Sequence, residues 1–354
     1  MRKAMVINQI NRPYILTIPQ EVLPFCIVEE NSYEMSKLIM ENFIGFLAYD
    51  SLEEESDGFC LRFEKFDQWD SLTGFQSIKI PREVFTKIDN ILDVFRICLA
   101  EGYYLICDYN QYYIRELGRE KYEHHIIIIN GFNDTEKYFS CYEFKNMKLK
   151  NYRVAYKELL YAATYYPWNN DDFSGIKGLK VASKDKHDIS LFYLKRSIHQ
   201  MLSESSVIKN NVLSAHGIYA LRVFAEGIDT YPQKCEKVYR SHYLLNYLKE
   251  DCKLMQYRCE FINNSIVHLN SSTIESLYEY KRQINLLFRK ALKMSLSGIA
   301  NADEVIELIK RTLCVIEKYK EFIIMFLEEV DNINTIPFYD DIYLNSRKYY
   351  RFLY

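Results

Sequence analysis

The feature that most constrains the fold is the run His125-Ile126-Ile127-Ile128-Ile129. An unbroken apolar, β-branched run of this length predicts a strand buried on both faces. Tyr103-Tyr104-Leu105-Ile106-Cys107-Asp108, which follows Gly102, predicts a second buried strand. Gly131-Phe132-Asn133-Asp134 supplies turn chemistry before Tyr138-Phe139-Ser140-Cys141-Tyr142, so the His125 strand and the next are expected to form an antiparallel hairpin. Upstream, Ser32–Tyr49 and Glu83–Ala100 read as helices, giving residues 1–163 a mixed α/β character.

The second half has a different period. Residues 164–188 are polar, with Pro167, Asn169, Asn170, Asp171, Asp172, Gly175 and Gly178, and are expected to be a connecting loop. Beyond it, Leu191, Leu194, Ile198 and Met201 fall at helical spacing, as do Leu245, Leu248, Cys252, Met255, Cys259 and Ile262. Asn301 and Glu304 have the spacing of a capping box ahead of Ile306, Ile309, Leu313 and Ile316. Residues 189–354 therefore read as a helical domain or cover, and Cys252 and Cys259 as small core residues on its apolar stripe.

Charge excludes some partners. The 354 residues carry 45 Lys+Arg against 48 Asp+Glu, and no basic block marks a nucleic-acid footprint. The N-terminus has a basic start but lacks the apolar core of a secretory signal, and no run is long enough to span a membrane. A cytoplasmic protein is expected. None of the nine cysteines forms a C-x-x-C pair, so neither a zinc site nor a redox motif is expected; free thiols are, and no cofactor is indicated.

Thiol chemistry needs a cysteine at a helix N-terminus, where the backbone dipoles favour the thiolate, and an imidazole to carry the proton. Cys26 lies ahead of the helix expected from Ser32, and Gln20 lies six residues earlier, the offset that resembles the placing of the oxyanion-hole glutamine in papain-like enzymes. His125 opens the apolar strand. Its neighbour His124 faces the other side of that strand, so only one of the two can serve a given site, and His125 is chosen.

The stretch from Gly102-Tyr103-Tyr104 through Asp108–Ile114, His125 and Gly131-Phe132-Asn133 to the helix at Tyr156-Lys157-Glu158-Leu159 resembles the N-terminal domain family of butirosin biosynthesis protein H and its relatives beside nonribosomal peptide clusters. The helical half is similar too, with His216–Leu221 preceding a long helix from Ser241. The family resembles the C39 peptidase branch of the papain fold. The resemblance implies an α/β, papain-like domain that moves an acyl group from a carrier-protein thioester to an amine, with Cys26 as nucleophile and His125 as base. The chain departs from that pattern at the third catalytic position, where an Asp would follow His125 by 16 or 17 residues and Ser140-Cys141-Tyr142-Glu143 stands instead. Either Glu143 substitutes, or Asp108 on the adjacent strand orients His125, or the site is a dyad, or it is inactive.

The leading expectation is thus a cysteine-dependent amide synthase acting on phosphopantetheine-bound acyl chains in nonribosomal peptide-like assembly, including assembly of the polythioamide type. A cysteine peptidase or amidase on the same fold differs only in whether water or an amine resolves the acyl-enzyme. A noncatalytic binding or scaffold protein is the third reading, favoured where Cys26 is buried away from His125.

Overall fold

The computed structural model describes residues 4–30, 32–51, 60–64, 69–81, 84, 87–88, 90–117, 124–145, 148–164, 175–182, 189–209, 212–231, 233–297 and 301–333. Among these residues the centre is a sheet of seven antiparallel strands: β1 (Met5–Ile7), β4 (Phe75–Pro81), β5 (Tyr104–Asn110), β6 (His124–Asn133), β7 (Tyr138–Lys145), β8 (Lys148–Ala155) and β9 (Gly175–Val181). The order is β4-β9-β5-β6-β7-β8, and β1 pairs with the Gly131–Asn133 end of β6. A smaller antiparallel sheet joins β2 (Phe46–Ser51) and β3 (Cys60–Phe63) to a hairpin of β10 (Ser206–Lys209) and β11 (Val212–His216). The protein is therefore mixed α/β with antiparallel sheets.

The apolar run of β6 exists because both faces of the large sheet are covered. Leu105, Cys107, Tyr109, Ile127 and Ile129 point to one face and pack with Phe95 and Leu99 of α3 (Ile91–Ala100) and Leu159 and Ala162 of α4 (Tyr156–Thr164). Ile106 and Ile128, one residue out of phase, enter a separate core with Val22, Leu23, Phe25 and Cys26 of α1 (Pro19–Cys26) and Met35, Leu38 and Ile39 of α2 (Tyr33–Glu41). That second core continues into α5 (Leu191–Leu202), α6 (Gly217–Gly227), α7 (Lys234–Ser265), α8 (Ser271–Ser297) and α9 (Ala302–Asp331). One core thus runs from Ile15 to Val330.

Several elements differ from the sequence reading. The helix expected over Ser32–Tyr49 stops at Glu41 and its second half becomes β2, because Phe43 and Gly45 both take positive φ, 57° and 94°, and reverse the chain. Gly131 is not a turn residue. It lies within β6, where β1 passes so close that a Cβ would sit 2.4 Å from the Val6 carbonyl oxygen; the turn follows at Asp134–Lys137. The connecting loop expected over 164–188 contains β9, which is inserted between β4 and β5. With β11 paired to β2 as well, the two halves interlock, and the division at 163 and 189 is not a boundary between separate cores. The helices after 189, including the Asn301–Glu304 capping box, lie where the periodicity puts them.

Candidate functional site

β5 and β6 end together in register, Tyr109 opposite His125 and Cys107 opposite Ile127, and β7 adds Glu143 opposite Ile127. Alternation along each strand therefore puts His125, Tyr109 and Glu143 on one face. The contacts agree. His125 Nδ1 lies 3.3 Å from Glu143 Oε1 and 3.3 Å from the Ile126 carbonyl oxygen, and the Tyr109 ring meets the imidazole edge-on at 6.2 Å. Gln111 Nε2 donates to the same Glu143 oxygen at 3.2 Å.

The short turn after β5 is built to hold Gln111 there. Asn110 accepts a hydrogen bond from the Tyr112 amide at 3.1 Å, closing the turn that buries Gln111. Glu143 has no exposed side-chain surface, whereas His125 keeps 32% of its own. A buried carboxylate beneath a partly exposed imidazole fixes the ring's orientation. Both short contacts of the ring are made by Nδ1.

Of the sequence-predicted residues, the structure brings His125 and Glu143 together and puts Asp108 and Cys26 on the other side of the sheet. Asp108 is buried on the alternate face of β5, so Glu143 is the acid beside His125. Gln20 falls in the first turn of α1, and its side chain lies outside the described residues, as does that of His124, the register partner of Asn110.

The pairing of Cys26 with His125 needs correction. Cys26 is the last residue of α1, not a residue ahead of a helix N-terminus, so the carbonyl end of the helix faces it and opposes a thiolate. It is fully buried in the core containing Ile106 and Ile128, across the sheet from His125. It is displaced along the strand as well. The Cys26 carbonyl binds the Asn11 amide, and the segment holding Asn11 is tied to Asn130 through Asn8, five residues along β6 from His125. Five strand residues span roughly 17 Å. Burial alone pushes the Cys26 thiol up to about 12, leaving it protonated at neutral pH.

Two groups escaped the sequence reading. Gln111 carried a faint signal, an amide where an apolar strand ends among tyrosines. Glu21, adjacent to Gln20, carried none: it is buried in the α1 core, accepting from the Phe63 amide at 2.8 Å and the Tyr247 hydroxyl at 3.0 Å, and burial pushes its carboxyl up to about 7. Among the described residues, no group of three or more His, Cys, Asp and Glu side chains is placed to hold a metal ion, and no helix is long and apolar enough to cross a membrane. Comparison with protein-family models and with curated proteins returns no match to this chain.

Proposed function

We propose that the protein is an amide-forming acyltransferase in which His125, and not Cys26, carries the chemistry. The observation that supports this is the buried Glu143 carboxylate 3.3 Å from His125 Nδ1, with Gln111 fixing that carboxylate. An imidazole held in this way acts as a general base through Nε2. The acceptor amine attacks the thioester carbonyl; the C–N bond forms and the C–S bond breaks. His125 takes the amine proton and returns it to the departing sulfur, which leaves as the phosphopantetheine thiol. Glu143 stabilises the imidazolium between those two transfers. No covalent acyl-enzyme is required.

The donor and acceptor classes, the papain-like assignment of the α/β half and the nonribosomal peptide-like context all come from the resemblance around Gly102–Asn133. The reading puts the reaction in the cytoplasm, where the nine cysteines, none of them in a disulfide, remain reduced. A papain-type nucleophile is the part of that resemblance the geometry does not favour.

The burial of Cys26 also favours a second reading, a noncatalytic binding protein on the same scaffold. One experiment separates the two. The protein is incubated with an acyl-loaded carrier protein and a primary amine, and both the small-molecule product and the intact protein mass are recorded. The acyltransferase reading expects amide product with the wild type, none above background with His125→Ala, and no mass gain on the enzyme. An acyl adduct that Cys26→Ala abolishes would restore the covalent mechanism. Free acid instead of amide would make the protein a hydrolase. Equal background turnover by the wild type and His125→Ala would leave the noncatalytic reading standing.

A further inference from the structure

Away from the His125 site, the smaller sheet leaves one edge open. Its order is β10-β11-β2-β3, so β10 has a neighbour on one side only among the described residues. The ladder to β11 runs without a shift from Ser206 opposite Ala215 to Lys209 opposite Val212, and the His216 amide donates to the Ser205 carbonyl at 2.9 Å. Antiparallel pairs alternate between those that exchange hydrogen bonds and those that do not. The Ser205–His216 bond therefore sets the phase. Residues 205, 207 and 209 turn their amides and carbonyls toward β11, whereas Ser206 and Ile208 turn theirs outward, where no backbone group of the described residues meets them.

The side chains of this edge are uncovered as well. Val207 and Ile208 point to opposite faces of the strand, yet they keep 55% and 68% of their surface. All of residues 203–208 are exposed. Edge strands are commonly guarded by a proline, a bulge or a charge pointing from the strand's middle, and β10 has none of these between Ser206 and Ile208. Two β-branched side chains beside two outward-facing amides and carbonyls form a template for another strand.

We infer that this edge pairs with β10 of a second copy of the chain, antiparallel about a two-fold axis at Val207. Hydrogen-bonded pairs must join outward-facing residues, so Ser206 meets the partner's Ile208 and Ile208 meets the partner's Ser206, each pair exchanging two backbone bonds. Val207 then stands opposite its own copy in a non-hydrogen-bonded pair, where Cβ atoms approach to about 5 Å. No charged residue meets its own copy in this register, since Lys209 comes opposite Ser205. A second copy fits the edge better than a loose peptide because its β10 is already held extended by β11, and little ordering is left to oppose association. One such edge per chain closes the assembly at two copies. Strands of four residues cover less than the roughly 1,200 Å² at which stable interfaces begin, so the dimer is reversible and half formed on the order of 100 µM. This inference does not rest on the acyltransferase reading.

Sedimentation equilibrium of the full chain between about 5 and 500 µM tests it, with monomer expected at the low end and mostly dimer at the high end. Ser206→Pro removes an amide that points to the partner and none that β11 uses, so it should weaken the dimer at least tenfold while circular dichroism shows an unchanged fold. Val207→Cys tests the register. Mild oxidation should join two chains through position 207, beyond any crosslinking of the wild type through its exposed Cys235 and Cys314, whereas Ile208→Cys should link far less. The crosslink is decisive if Ser206→Pro fails to fold. A chain that stays monomeric at about 500 µM, a dimer unaffected by Ser206→Pro, or equal crosslinking by Val207→Cys and Ile208→Cys would overturn the inference.

Discussion

Cys26 and His125 sit on opposite faces of the large sheet and in opposite surroundings. On the α1 face the core continues without a break into the helical half, and Cys26 and Glu21 are enclosed in it with their charged forms disfavoured. On the α3–α4 face the cover stops where β5 and β6 end, so His125 keeps a third of its surface over a carboxylate that keeps none. The strands are the same. Partners and position decide the difference: Cys26 is enclosed by apolar side chains and packs as a neutral thiol, whereas Glu143, equally buried, has His125 and Gln111 beside it, and His125 reaches the edge of the cover where it can exchange protons with a ligand.

The largest expected effect comes from exchanging acids across the sheet. Glu143→Gln removes the charge beneath His125 and should lower amide formation about 10²- to 10³-fold, with a smaller change in KM than in kcat. Asp108→Asn, one strand away on the opposite face, should stay within about threefold of the wild type, the range of a mild structural perturbation. Steady-state kinetics on both variants decides it. A larger loss in Asp108→Asn would show that the two faces communicate and that the wrong acid was assigned to His125.

That contrast also explains how much was legible in the sequence. The β-branched run at His125 and the helical spacing after residue 189 are local signals, and both reappear as elements close to their expected bounds. Glu143 was one alternative because it stands one residue beyond the offset from His125 at which the resemblance expects an Asp, and the hairpin register then places it across from Ile127. The position of Cys26 was not. Its expected role needed a helix to begin after it, but Pro19 begins an earlier one that ends on it, and nothing local records which face of a distant sheet that helix covers. β9 was hidden for a related reason: Gly175 and Gly178 read as loop residues, whereas Gly178 is required by the side chains of β4 and β5 around it.

The next effect concerns stability on the closed face. Folding raises the Glu21 carboxyl from 4.5 to about 7, so the folded state holds its proton more tightly than the unfolded chain does. The stabilisation is fully present below the unfolded value and is lost as pH rises through about 7, up to roughly 3 kcal/mol from this one group. Asp251, buried and accepting from the Tyr319 hydroxyl, is pushed up to about 6 and adds in the same direction. Urea unfolding should therefore give a higher midpoint at pH 5.5 than at pH 8, with a smaller difference in Glu21→Gln. An unchanged pH dependence in that variant would remove Glu21 from the account.

A smaller effect tests the sheet that separates the two faces. A Cβ on Gly178 would meet Ile78 Cγ1 at 2.6 Å and Leu105 Cδ2 at 2.9 Å, contacts that force β4 or β5 to shift. Gly178→Ala should cost about 1–3 kcal/mol in urea unfolding, the usual range for overpacking. Indifference to the substitution would mean that β9 does not lie between those strands.

The smallest expected effect is the most informative about mechanism. Cys26→Ala removes one sulfur from a packed core and should cost about 1 kcal/mol of stability while leaving amide formation within about threefold of the wild type. A protonated, enclosed thiol should also resist alkylation in the native protein, while the exposed Cys235 and Cys314 react first. Mass mapping of iodoacetamide adducts before and after urea unfolding reads this directly. Rapid native labelling of Cys26, together with a hundredfold loss of activity in Cys26→Ala, would mean that the α1 face opens to solvent and that a thiolate forms there. The comparison between the faces would then have to be made in an opened state of the protein, with His125 and Cys26 meeting only after α1 leaves the sheet.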